Sequence, residues 1–378
     1  MRIPDQLVKK RIEFNCSKLS LQFDVAQSLF SSYDIDAGTR ALLNSLRKNS
    51  NLRYERVLDL GCGYGPIGIF VKALYPAASV TLADRDALAV AFSSHNAALN
   101  EVEVSVCASD GCRDIEGPFD LILTNYPAKL GYCGLDKFLA GAAKLLTPGG
   151  CLAIVAVREL EGELDELVAA RQFAVRMRQS KPGYVLLHLE RDTEGTAADV
   201  PQDPSSEVQL HLSKSCCIQT NRFLPEFDQL SYSTALAIEL LREHGTNQKR
   251  IAVIEPGQGH IALAAVDLCN AKDIQLIGRD LLSLRSATSV LSDNTASRVT
   301  STHTGFLSSE CLGDYILWGL DANNEESLLC INAAHIRQMA IPVLAHGSVK
   351  KVVRLGQELD LVPKVKLKQG AAMAASYY

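Results

Sequence analysis

The sequence lacks the marks of export and of membrane insertion. Its first residues, MRIPDQLVKK, contain no apolar segment, and no apolar run approaches the roughly 18 residues of a membrane-spanning helix. The expectation is a soluble, unexported, cytoplasmic protein with no membrane partner. Any Cys-x-x-Cys spacing is also missing. The 11 cysteines are odd in number and scattered, so neither a disulfide framework nor a zinc site is spelled out, and no metal is expected. The adjacent pair Cys216-Cys217 reads as one inward and one outward thiol on a strand, with a redox pair as the alternative. An excess of basic charge is absent too. The formal net charge is -5, and all of it lies in DTEGTAADVPQDPSSE, residues 192–207, which holds five acids and no base. Both flanking blocks are neutral, so basic patches remain possible and an RNA partner is not excluded.

What is present is ordinary globular material, with 47% apolar and 21% charged residues in a chain of 378, long enough for two or three domains. The acidic stretch is rich in Pro, Ser, Gly and Thr and reads as a linker. It separates residues 1–191 from residues 208–378. In the first block RVLDLGCG is a buried strand entering a glycine turn and PIGIFVKALYP a helix stopped by proline. SVTLAD, EVEVSVCASD, FDLILTN and CLAIVAV are further strands, with ALAVAFSSHNAALN and LDKFLAGAAKLLTPGG as helices between them. Strands interleaved with helices of this length predict an α/β fold, a mostly parallel sheet covered on both faces. The second block repeats the order: RIAVIEPGQGHIALAAV echoes RVLDLGCGYGPIGIFV, and GDYILWGLD echoes FDLILTNYP. The chain reads as a tandem duplication of one domain.

The stretch GYGPIG, Gly63 to Gly68, has the spacing of a dinucleotide-binding turn. Such a turn offers backbone N–H groups to a pyrophosphate, but Asp59, two residues before Gly61, sets a carboxylate where phosphates would lie. That conflict disfavours a nucleotide-dependent oxidoreductase and favours a cationic ligand without phosphate. S-adenosylmethionine is such a ligand. Asp84 ends the second strand, where a carboxylate can accept both ribose hydroxyls. Asp110, after the third strand, is placed to accept from the adenine amino group. Each acid alone could be a solvated loop residue or a helix cap; three at successive strand ends around one glycine turn form a more specific pattern.

These residues resemble class I S-adenosylmethionine-dependent methyltransferases, in particular the small-domain family of ribosomal RNA guanine-N2 methyltransferases. The segment LFSSYDIDAGTRALL resembles that family's lead-in to the cofactor pocket, with Asp36, Gly38 and Thr39 in matching places. The resemblance spans roughly residues 23–191. It implies two Rossmann-like methyltransferase domains, each a seven-stranded sheet in which PGYVLLHLER is the antiparallel strand. It also implies a cofactor site made by Asp36, Gly38, Thr39, Asp59, Gly61, Gly63, Gly65, Asp84, Asp110 and Asn125.

In that family the fourth strand ends in Asn-Pro-Pro followed by an aromatic residue. The amide oxygen and the next carbonyl accept from an exocyclic amine, and the ring stacks on the base. Here the tetrad is Asn125-Tyr126-Pro127-Ala128. Asn125, Tyr126 through its carbonyl, and Pro127 are the expected catalytic residues, and transfer is mainly positioning. Ala128 removes the stacking ring, which either Tyr126 or Tyr132 is expected to supply. The bland alternative is that the segment is only a strand-ending turn.

The second block is expected to be a degenerate copy. Matching VIEPGQG to LDLGCG sets Glu255 at the place of Asp59 and Ile261 at the third glycine, where its side chain would crowd the pocket. The fourth strands match Asn125 to Gly319 and Pro127 to Asp321. A basic stretch offers Lys350, Lys351 and Arg354, then Lys364, Lys366 and Lys368 alternating along a strand. That row suits phosphate contact and equally a lysine-protected sheet edge. The expected function is N-methylation of a guanine exocyclic amine in ribosomal RNA. The alternatives are a small-molecule or protein nitrogen, or a non-catalytic cofactor- or RNA-binding scaffold.

Overall fold

The computed structural model describes residues 3–16, 19–48, 53–191, 199–245, 247–306, 313–320, 336 and 341–377. The chain forms two compact units, Met1–Gln202 and Asp203–Tyr378. The first opens with a hairpin, β1 (Lys10–Cys16) and β2 (Leu19–Val25), followed by α1 (Ala37–Lys48). Then come β3 (Arg56–Leu60), α2 (Pro66–Leu74), β4 (Ser79–Asp84), α3 (Ala87–Leu99), β5 (Ser105–Ala108), β6 (Phe119–Asn125), α4 (Gly131–Leu145), β7 (Leu146–Val157), α5 (Glu161–Ala170), β8 (Phe173–Lys181) and β9 (Tyr184–Arg191). Seven strands make one sheet in the order β5-β4-β3-β6-β7-β9-β8. β9 runs antiparallel to both its neighbours, while the pairs among β3, β4, β5, β6 and β7 are parallel.

The near-continuous apolar runs of the central strands follow from burial on both faces. Leu58 and Leu60 of β3 pack with Leu135 and Leu139 of α4 and Leu164 of α5. Asp59, pointing the other way, meets α2. The hairpin is fastened to α3 by two asparagines: Asn96 donates to the carbonyls of Asp24 and Tyr64, and Asn100 pairs with the backbone of Gln22 in both directions.

The second unit contains β10 (Ser205–His211), β11 (Ser215–Asn221), α6 (Tyr232–His244), β12 (Arg250–Ile254), α7 (His260–Cys269), β13 (Asp273–Gly278), α8 (Leu281–Asn294), β14 (Arg298–His303), β15 (Tyr315–Gly319), β16 (Val343–Ser348), α9 (Val349–Leu359), β17 (Pro363–Gln369) and β18 (Ala372–Tyr377). Its sheet order, β14-β13-β12-β15-β16-β18-β17, repeats that of the first unit, with β18 antiparallel to its neighbours. The fold is α/β, two tandem Rossmann-like domains.

Three elements lie beyond the strands and helices expected from the sequence. The hairpins β1–β2 and β10–β11 stand outside the large sheets, and residues 205–207 of the acidic stretch already belong to β10. β8 is a sheet edge: Phe173, Val175 and Met177 alternate along it, but the strand is mostly exposed and only Phe173 is buried. Lys364, Lys366 and Lys368 lie on the exposed face of β17, the edge strand of the second sheet. Cys216 is half-buried and Cys217 exposed on β11, and the described cysteines are free thiols. Among the described residues no helix is long and apolar enough to cross a membrane.

Candidate functional site

The glycine turn between β3 and α2 is held from behind. Gly61 and Cys62 donate to the Ala83 carbonyl at 2.8 and 3.1 Å, Ser93 donates to the Gly63 carbonyl at 2.9 Å, and Gly63 donates to Asp84 Oδ2 at 2.9 Å. The outer side is open. A Cβ added at Gly61, where φ is +74°, would meet nothing within 4 Å.

The three acids differ in surroundings. Asp59 is fully buried; its Oδ2 accepts from Gly68 N–H at 2.8 Å in the first turn of α2, and its Oδ1 has no partner among the described residues. Burial, and more weakly the charge of Asp84, raise its pKa to about 7 against the lowering effect of the Gly68 contact. The acid expected beside the pocket is therefore enclosed behind the turn. Asp84 is half-buried and accepts one backbone N–H on each oxygen, from Gly63 and Asp86. Burial first, then the Asp86 charge, hold it above the ordinary carboxylate range. Each of its oxygens retains a second lone pair for a ligand. Asp110 is buried, and its Oδ2 has no partner among the described residues.

Asp36 caps α1. Its Oδ1 accepts from Thr39 N–H at 3.0 Å, its Oδ2 from the Thr39 hydroxyl at 2.6 Å, and its carbonyl from Arg40 N–H at 3.0 Å. Asn125, the last residue of β6, joins this cluster: its Nδ2 donates to Asp36 Oδ2 at 3.1 Å and to Thr39 Oγ1 at 2.9 Å. Gly38 is needed for close approach, because a Cβ there would lie 3.1 Å from Asp36 Oδ1 and 3.0 Å from Val155 Cγ2. Asp36 and Thr39, expected from the resemblance to line the cofactor pocket, thus gather around Asn125. With its amide nitrogen engaged by two oxygens, Asn125 presents Oδ1 outward as an acceptor.

The rings are placed differently from expectation. Tyr126 is buried at 3% exposure. Its hydroxyl donates to the Gly131 carbonyl at 3.2 Å, and its ring packs against Phe138 at 5.7 Å. It is a core residue and cannot stack on a substrate. Its N–H donates to the Val155 carbonyl, leaving the Tyr126 carbonyl for the site. Pro127 and Ala128 are exposed at the strand mouth. Tyr132 sits at the start of α4 with its hydroxyl tied to Glu166 at 2.9 Å. The largest exposed rings of the first unit are instead Phe30 and Tyr33, in the segment leading into α1. Sequence reasoning passed over both, although they lie just before Asp36.

The second unit corrects the expected alignment. Val57 pairs with Val80 and Leu121, and Ile251 with Ile274 and Tyr315, so one shift of 194, the distance from Arg56 to Arg250, maps β3 and its neighbours onto β12 and its neighbours. Gly63 and Gly65 then match Gly257 and Gly259, which have the same left-handed backbone. The third glycine is retained, and Ile261 is an α7 residue matching Ile67. Glu255 takes the place of Gly61, not of Asp59, at φ +53°. Val253 stands for Asp59, Gly278 for Asp84 and Gly319 for Asn125. Thr304 donates to the Gly278 carbonyl as Ser109 does to that of Asp84, which sets Gly305 at the place of Asp110. Asp321 lies outside the described residues. Where the first unit is open, the Glu255 side chain is buried and its Oε1 accepts from Arg279 N–H at 3.2 Å; Arg279 itself is fully buried.

Known proteins are similar to parts of this chain or to its fold. Residues 20–188 match the family model of the methyltransferase small domain. A protein of Hahella chejuensis named ribosomal RNA small subunit methyltransferase C is 40% identical over 145 residues, 37% of this chain and 42% of its own length. Its namesake in Pasteurella multocida is 41% identical over 132 residues, 34% of this chain and 39% of its own. The matched segment thus spans about two-fifths of those relatives. The T. thermophilus 16S rRNA N2 G1207 methyltransferase (RsmC), solved in complex with AdoMet and guanosine, has the same fold, with a TM-score of 0.74 over 98% of both chains at 15% identity.

Proposed function

We propose that the chain is an S-adenosylmethionine-dependent N-methyltransferase acting on the exocyclic amine of a guanine in ribosomal RNA, with residues 1–191 as the catalytic domain. The observation that carries the reading is the Asn125 amide, turned by Asp36 and Thr39 so that only its oxygen faces outward. The names of the Hahella and Pasteurella relatives and the ligands of the T. thermophilus enzyme point to the same substrate.

The cofactor fits the residues present. Asp110 Oδ2 is a buried acceptor with no partner among the described residues, and the space at Gly61 is open. Asp84 would hold the ribose hydroxyls, Asp110 the adenine amine, and Gly61, Gly63 and Gly65 the backbone floor; Asp59, behind that floor, favours the cationic end through its charge. When bound, S-adenosylmethionine supplies an electrophilic methyl group.

The remaining work is positioning. Asn125 Oδ1 and the Tyr126 carbonyl accept the two amine hydrogens and so direct the nitrogen lone pair toward the methyl carbon. A neutral amide oxygen accepts a hydrogen of the amine without taking the proton, which is lost to solvent once the nitrogen has been methylated. Pro127 fixes the backbone that aims the Tyr126 carbonyl. The second domain, residues 208–378, we infer to be a non-catalytic copy, since its turn is filled by Glu255 and the three acids and the amide are replaced. It serves RNA binding or support of its partner domain, with the Lys364, Lys366 and Lys368 row available to phosphates.

Comparing ribosomal RNA from cells with and without the gene, by mass spectrometry of nucleosides, tests the reading. One N2-methylguanosine should be lost and restored by the wild-type gene. An unchanged nucleoside profile would contradict it.

A further inference from the structure

We propose that the ring missing at Ala128 is supplied by Tyr33, which stacks on the target base with Lys9 pressed against its other face. The inference rests on the methyltransferase reading. The family position for the ring holds an alanine, and the nearest substitute in sequence, Tyr126, is locked in the core against Phe138. Tyr33 precedes Asp36 by three residues, a span of at most about 11 Å, and Asp36 touches Asn125. The Tyr33 backbone therefore lies within about 11 Å of the residue that braces the amide acceptor. At 72% exposure it is among the most exposed large side chains of the molecule.

The segment that carries it is built, not loose. Ser31, at φ +57°, donates through its hydroxyl to the Asp34 carbonyl. Arg40 clamps the Asp34 carboxylate at 2.6 Å and the Ile35 carbonyl at 2.9 Å. The segment so braced holds the Tyr33 ring in solvent.

Lys9 gives the ring a polarity. Its ammonium sits 3.4 Å from the Tyr33 ring centroid, is shielded from solvent, and has no hydrogen-bond partner among the described residues. Lys10 lies 6.0 Å from the same ring. A cation on one π face draws electron density toward itself, so the opposite face becomes a better partner for an electron-rich purine in offset stacking. The order cation, tyrosine, base accounts for a desolvated ammonium and an exposed ring together.

The test measures methyl transfer from S-adenosylmethionine to unmodified small-subunit ribosomal RNA by the full chain. Tyr33→Ala should raise the KM for RNA about ten- to hundredfold, the scale of losing one base stack, with kcat less affected and S-adenosylmethionine binding unchanged by calorimetry. Tyr33→Phe should restore the wild-type KM. Lys9→Met should raise it severalfold while leaving cofactor binding intact. Wild-type KM in Tyr33→Ala, or the full loss in Phe30→Ala instead, overturns the assignment. Failure of the wild-type chain to methylate the RNA at all would overturn the function itself, a separate outcome.

Discussion

The amide nitrogen of Asn125 lies 3.1 Å from the Asp36 carboxylate. A carboxylate only accepts, so the contact settles which end of the amide faces the site. Asn125→Ala removes the outward acceptor and leaves the glycine turn untouched. Turnover should fall by roughly two or more orders of magnitude, the scale of losing one preorganised polar contact. Calorimetry should find S-adenosylmethionine affinity nearly unchanged.

Thr39 is the second brace of that amide. Thr39→Val keeps the shape and deletes the hydroxyl, so Asn125 retains one acceptor of two. The loss should be smaller, about tenfold in kcat, and Thr39→Ser should recover most of it. Equal losses in Thr39→Val and Asn125→Ala would mean that the hydroxyl itself touches substrate.

The exchange of Gly61 for Glu255 between the domains can be imposed on the first. Gly61→Glu sets a side chain into the open floor at φ +74°. The left-handed backbone costs about 1–2 kcal/mol, which a thermal melt should register. Cofactor binding should vanish while the fold survives, because the second domain folds with glutamate there. The reverse change, Glu255→Gly, should confer no binding, since Val253, Gly278 and Gly305 supply no carboxylate.

Asp59 sets a pH dependence. Its folded pKa, about 7, lies above the ordinary 3.8. Stability from this group is therefore fully present below pH 3.8 and is lost as pH rises through 7. Asp59→Asn should flatten that slope in denaturant titrations of the cofactor-free chain. A cationic ligand prefers the ionised acid, so wild-type affinity for S-adenosylmethionine should rise between pH 5 and about 7 and then level off. A flat wild-type profile over that range would remove Asp59 from the account of cofactor binding.

Much of this architecture was readable because the signals are local. Each parallel strand buried on both faces gives an unbroken apolar run, and each turn carries its glycines. The alternating strands and helices and the tandem repeat followed from those runs. What failed depended on partners distant in sequence. The edge strand β8 buries only Phe173, so the alternation of Phe173, Val175 and Met177 is too short to stand out. The match of Glu255 to Asp59 aligned Gly257 and Gly259 with Gly61 and Gly63; the pairing of Val57 with Leu121 and Ile251 with Tyr315 moves that register by two residues and assigns Glu255 to Gly61. The burial of Tyr126 is set by Phe138 on α4, and the joining of Asp36 to Asn125 spans the whole first half of the sheet.

The most direct measurement of the central claim uses S-adenosylmethionine with a deuterated methyl group. Unmodified small-subunit ribosomal RNA is incubated with the full chain, digested to nucleosides and weighed by mass spectrometry. The account predicts labelled N2-methylguanosine with the wild-type chain and roughly a hundredth as much or less with Asn125→Ala. Label on another atom, or equal label from both proteins, would contradict it.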